Sequence, residues 1–77
     1  MVSNADTTRI LIADHLGFDA VTDEQNLVVD LALDSLDRVD LTVTLEQEFD
    51  IKIDDAALEG WQTVGDVVKT VETLADA

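Results

Sequence analysis

The chain has 77 residues, 47% of them hydrophobic, with 18 Asp and Glu against 4 Lys and Arg, for a net charge of −14. That length is about half of an average domain, so one small core and one domain spanning 1–77 are expected. The charge speaks against nucleic acid and anionic membrane surfaces, since few cations are present to replace phosphate counterions. With no Cys, disulfides, thiolate metal sites and a protein-borne thiol nucleophile are excluded.

Pro is absent, Gly occurs three times, and apolar residues recur at spacings of three and four, which predicts an all-α fold. The first helix is expected to begin near Asp6 or Thr7 and to stop at Gly17, a residue suited to a left-handed C-cap. Leu11, Ile12 and Leu16 would face inward. His15 reads as a helix-surface residue. Between Phe18 and Leu33 the periodicity fades, leaving Val21, Leu27 and Leu31 as scattered apolar anchors of a long ordered loop. A loop of that length calls for a reason.

The second helix is the best specified. Asp34 suits the N-cap, Asp37 follows three positions later as the capping-box acid, and the pattern continues to about Phe49. A short third helix is expected around Asp55–Leu58, ending near Gly60. The last helix opens at Thr63 with Asp66 three positions on, and carries Val67, Val68, Val71 and Leu74. The expected architecture is a small four-helix bundle, three main helices plus a short third, with the long loop between helices one and two. Trp61, in the loop before the last helix, reads as a large residue closing the small core, with contact to a ligand as the alternative.

At ~100° per residue the second helix carries two apolar stripes. Leu41, Leu45 and Phe49 form one and Leu36, Val39 and Val43 lie nearly opposite. One stripe serves as a core seam. The other is surplus for a peripheral helix in a small bundle and is bordered by Asp40 and Glu46, which reads as a docking surface. Residues 34–55 hold eight acids against Arg38 and Lys52, a net of −6, while the remaining 55 residues share −8. The plainer reading is that such acids form a solvated face and that Leu36 or Val39 packs under the preceding loop. Ser35 adds a second consideration. It follows an N-cap position, where free backbone N–H groups and the positive end of the helix dipole favour an attached phosphate. Its surroundings lack the glycines of a nucleophile elbow, and the one His is distant in sequence. The acid-rich stretch from Asp50 to Asp55 lacks the spacing of a calcium loop, so no metal ligands are assigned. No paired acid and base, metal triad or phosphate-cradling loop can be assembled into an enzyme.

The run Asp30-Leu31-Ala32-Leu33-Asp34-Ser35-Leu36-Asp37, followed by Val39, Asp40, Leu41, Leu45-Glu46 and Glu48-Phe49-Asp50, resembles the acyl carrier protein family. With the long loop before it and Thr63-Val64 after it, the pattern covers nearly the whole chain. The resemblance implies a non-catalytic carrier with a covalent 4′-phosphopantetheine arm on Ser35, transferred from coenzyme A by a magnesium-dependent phosphopantetheinyl transferase. The thiol missing from the sequence would come from that arm. Acyl intermediates of fatty acid synthesis or a related specialised pathway would ride on it as thioesters. The resemblance also implies a partner face on the second helix made of Asp34, Leu36, Asp37, Arg38, Val39, Asp40, Val43, Glu46 and Glu48, meeting basic patches of acyl-loading and acyl-processing enzymes. A cytoplasmic monomer without membrane insertion is expected. Four departures stand out: Ala32-Leu33 in place of the common Gly-Ala, Arg38 in place of a small hydroxyl or aliphatic residue, Val43 in place of a frequent Met, and Asp54 or Asp55 in place of Pro. Arg38 puts a positive charge inside an acidic face, which would narrow the set of partners. The alternative reading is an acidic helical adaptor without a prosthetic group, whose partner binding survives Ser35→Ala.

Overall fold

A computed structural model describes residues 2–76. Within them the order is α1 (Asn4–Leu16), α2 (Ser35–Phe49), α3 (Asp55–Glu59) and α4 (Val64–Ala75), with no strand. The all-α bundle with three main helices and a short third is thus the observed fold. Helix α1 starts earlier than the sequence reading placed it. Ser3 is its N-cap and accepts a hydrogen bond from the Asp6 amide, so Asp6 occupies the first turn, where its charge favours the helix dipole. The spacing Ser3 to Asp6 is that of a cap followed by a first-turn acid, a signal the sequence carried. At the other end Gly17 adopts φ 82, a left-handed conformation that costs glycine little.

Each main helix buries one face. Helix α4 is the clearest case, with Val64, Val67, Val68 and Val71 at helical spacing, all buried. Helix α1 buries Thr8, Ile12 and Ala13, with Leu11 and Leu16 half-buried against the core. Helix α2 contributes Leu41 and Leu45, with Phe49 at the margin. Two threonines join the buried set because each hydroxyl donates one turn back within its helix, Thr8 to the Asn4 carbonyl and Thr42 to the Arg38 carbonyl, both at 2.7 Å. Helix α1 packs on both α2 and α4, which also touch each other.

The long loop is ordered for a physical reason. Val21, Leu27 and Leu31 are buried as expected, and Leu33 joins them. Each such side chain contributes about 1.5–3 kcal/mol relative to exposure, which offsets the entropy of ordering the loop backbone. Polar ties complete the fixing. The Leu27 amide donates to the Gln62 carbonyl at 2.9 Å, the Val64 amide to Gln25 at 3.0 Å, and the Gly65 amide to Asp23 at 3.0 Å. The loop therefore pairs with the start of α4, with Asn26 and Thr63 forming an antiparallel bridge. A Cβ at Gly65 would lie 3.3 Å from the Asp23 carbonyl oxygen, so the close approach favours glycine there. Within the loop, Asn26 Oδ1 accepts from the Val28 and Val29 amides, both at 2.9 Å, and the Asn26 amide donates to Asp30.

Candidate functional site

The loop's last buried anchors decide where α2 begins. Leu31 and Leu33 point into the core, and the Leu33 amide donates to the Leu27 carbonyl at 2.8 Å. Ala32 between them adopts φ 57, a left-handed conformation that is costly for a residue with a Cβ. The chain then turns outward at Asp34 and Ser35, both exposed.

Asp34 is the N-cap, and the capping box foreseen from the sequence is present. Asp34 Oδ1 accepts from the Asp37 amide at 2.8 Å, and Asp37 Oδ2 accepts from the Asp34 amide at 3.3 Å. Ser35 is therefore the first helical residue. Its amide and that of Leu36 have no intrahelical carbonyl to meet, as in any first turn, and they face solvent at the positive end of the helix dipole. Among the described residues no side chain takes up the Ser35 hydroxyl. An exposed hydroxyl beside two open amides is chemically suited to a phosphoester: it can be reached by a large donor, and the amides can offset the charge of the product.

The surplus stripe is indeed outside. Leu36, Val39 and Val43 are 68%, 51% and 45% exposed, whereas Leu41 and Leu45 on the opposite side are fully buried. Packing of Leu36 and Val39 beneath the loop is thereby ruled out. Asp40 is exposed beside this stripe, and Glu48 is exposed farther round the helix. Two other residues of the expected face turn toward α3. Glu46 Oε2 accepts from the Ile53 amide at 2.8 Å, and Arg38 Nη1 donates to the carbonyls of Leu58 and Trp61 at 2.9 and 3.1 Å. Helix α3 has no fully buried residue, so these ties at its two ends help hold it. No spacing rule in the sequence announces them, because they join residues 7 to 23 positions apart.

Trp61 is buried, and its indole N–H donates to Thr70 Oγ1 at 2.9 Å. It closes the core, as read from the sequence. It also walls a groove of about 420 Å³ between α3 and α4, which no residue of α2 lines. Among the described residues no cluster of His, Asp or Glu is arranged to hold a metal ion, and no helix is long and apolar enough to cross a membrane.

A family model described as "Phosphopantetheine attachment site" matches residues 6–71. The chain belongs to that family of carriers. An acyl carrier protein of Thermotoga maritima is 50% identical over 64 residues, covering 80% of this chain and 79% of the relative. Another, from Phenylobacterium zucineum, is 46% identical over 66 residues, or 83% and 84% of the two chains. A solved structure of an acyl carrier protein from Mycobacterium tuberculosis superposes with a TM-score of 0.87 at 36% identity, covering 92% of this chain and 97% of that one. This chain is accordingly an acyl carrier protein, bearing covalent 4′-phosphopantetheine and carrying acyl groups on it. Within the carrier, Ala32 and Arg38, both departures from the common pattern, fall on structurally demanding positions: one in left-handed backbone, the other bonded to two carbonyls.

Proposed function

We propose that Ser35 is the residue that bears the phosphopantetheine arm, and that α2 is the face presented to the enzymes that load and use it. The observation that supports this best is the position of Ser35: an exposed hydroxyl on the first residue of a helix whose first two amides, those of Ser35 and Leu36, are open. In the attachment, Ser35 Oγ forms a bond to the phosphorus of coenzyme A that carries the pantetheine arm. The bond from that phosphorus to the bridging oxygen breaks, 3′,5′-ADP leaves, and the serine proton passes to a base of the transferase. The arm supplies the thiol that this Cys-free chain lacks, on which acyl groups are held as thioesters.

The chain's own residues do the rest by binding and orienting. Leu36, Val39 and Val43 offer apolar contact, and Asp34, Asp37, Asp40 and Glu48 steer basic patches of the transferase and of acyl-processing enzymes. Long-range charge speeds such encounters and leaves them salt-sensitive and brief. Glu46 and Arg38 take part in that face while tied to α3. The protein thus carries and presents, without catalysing, and works as a monomer for partners of fatty acid synthesis or a related specialised pathway.

Intact mass spectrometry after incubation with coenzyme A and a phosphopantetheinyl transferase tests the assignment. One prosthetic-group mass should be gained by the native chain and none by Ser35→Ala. Gain of the arm by Ser35→Ala would move the attachment elsewhere, and partner binding that ignores both the arm and Ser35 would favour a simple acidic adaptor.

A further inference from the structure

The proposed arm site is crowded with negative charge. Asp34 and Asp37 flank Ser35 within the first turn, and Asp30 and Asp40 are near in sequence. A phosphodiester on Ser35 adds another anion. Helix α2 contains a single cation, Arg38, three residues beyond Ser35, which makes the two neighbours on the helix surface. The Arg38 side chain thus leaves the helix within one turn of Ser35, and its guanidinium reaches the carbonyls of Leu58 and Trp61.

The guanidinium is also half free. Nη1 is fixed on the Leu58 and Trp61 carbonyls, while Nε and Nη2 have no partner among the described residues. Arg38 is half-exposed, and no side-chain nitrogen of such a residue is both fully buried and unbonded, so neither of these two nitrogens is sealed from solvent. An Nε–Nη2 edge is suited to two oxygens of one anion. The same protein shows this at Arg9, whose Nε and Nη2 lie 2.7 and 3.0 Å from the two oxygens of Asp23.

We propose that Arg38 is a positioning residue for the arm, receiving the phosphodiester on Ser35 through its free Nε–Nη2 edge while Nη1 stays on the α3 exit carbonyls. The inference rests on attachment at Ser35. It gives the unusual cation on α2 a specific occupant and joins the root of the arm to the end of α3 through one side chain. Because the guanidinium is already held by two carbonyls, little of its freedom is left to lose on binding the phosphate.

The test is NMR on nitrogen-labelled protein, unloaded and then loaded with the arm by a transferase and coenzyme A, with loading verified by intact mass. On loading, the Arg38 Nε–H should move downfield and exchange with water about tenfold more slowly, the factor a charge-assisted hydrogen bond supplies. The Arg9 Nε–H, already occupied by Asp23, should not move. The phosphorus resonance of the arm should differ between the native protein and Arg38→Lys, which keeps the charge but loses the edge. An unmoved Arg38 Nε–H in loaded protein overturns the inference and leaves the carrier reading standing. A signal that moves only when the transferase is added would likewise overturn it, by assigning the edge to a partner's carboxylate. A chain that refuses the arm removes both. The native-protein measurement needs no variant, so a folding defect in Arg38→Lys cannot decide the matter.

Discussion

Arg9 meets Asp23 side-on, joining the first helix to the middle of the long loop with both carboxylate oxygens engaged. The hydrogen bond from Arg9 is the main cause that holds the Asp23 carboxyl below its ordinary range, against a smaller opposing effect of burial. The pair is partly exposed, so its worth is that of a good surface ion pair. Asp23→Asn should lower stability by about 0.5–1 kcal/mol at neutral pH. Because the folded pKa is lowered, this contribution is present above the ordinary carboxylate range and is lost as pH falls through the folded value. Denaturant titrations of both proteins from neutral to acid pH should show the gap closing. A gap that persists in acid would mean that shape, and not charge, holds the loop.

Asp66 has the same sign for a different reason. Its carboxylate accepts from the Gln62 and Thr63 amides at 2.9 and 3.0 Å, and these bonds hold its pKa down. Asp66→Ala removes half of the α4 capping box and should cost about 1 kcal/mol. Hydrogen exchange should then quicken first in the opening turn of α4. Uniform quickening through α1 and α2 would count against a local capping role.

Ala32 carries a backbone conformation better suited to glycine. Ala32→Gly should stabilise the protein by about 0.5–1 kcal/mol, the relief of left-handed strain reduced by the greater freedom of glycine in the unfolded chain. For a domain of this size that corresponds to a rise in Tm of roughly 2–8 °C. Ala32→Val should move Tm the other way. A fall in Tm for the glycine variant would show that the Ala32 methyl contributes more by contact than it costs in strain.

Asp40 and Glu72 are both exposed acids, one beside the apolar stripe of α2 and one on α4. If steering is local to α2, Asp40→Lys should slow loading by a phosphopantetheinyl transferase about tenfold at low salt. Glu72→Lys, with the same change in net charge, should have little effect. Added salt should shrink the difference. Equal slowing by both would make net charge, and not a face, the recognised feature.

How far the sequence could be read depended on whether a signal was local. The Asp34–Asp37 and Thr63–Asp66 boxes lie within one turn, and both α2 stripes follow from helical periodicity, so helix starts and the exposed Leu36, Val39 and Val43 were legible. The buried anchors Val21, Leu27 and Leu31 were also legible, as isolated apolar residues in a polar stretch. Leu33 was not singled out, since its burial depends on the turn at Ala32. The inward reach of Arg38 and Glu46 to α3 was hidden for a stronger reason. Each is a charged residue on a helix flank, where solvent exposure is the usual state, and only the tertiary placement of α3 brings it a partner. The start of α1 lies two or three residues before the Asp6 or Thr7 start expected from the sequence, because Ser3 caps the helix and Asp6 is its first-turn acid.

Trp61 is the only tryptophan in the chain. It lies in the core with its N–H committed to Thr70 and its carbonyl accepting from Arg38. The protein therefore comes with its own optical reporter, placed where α3 gives way to α4. Loosening at that junction should register as a change in emission without any label, and one fluorophore can follow both global unfolding and local opening between α3 and α4.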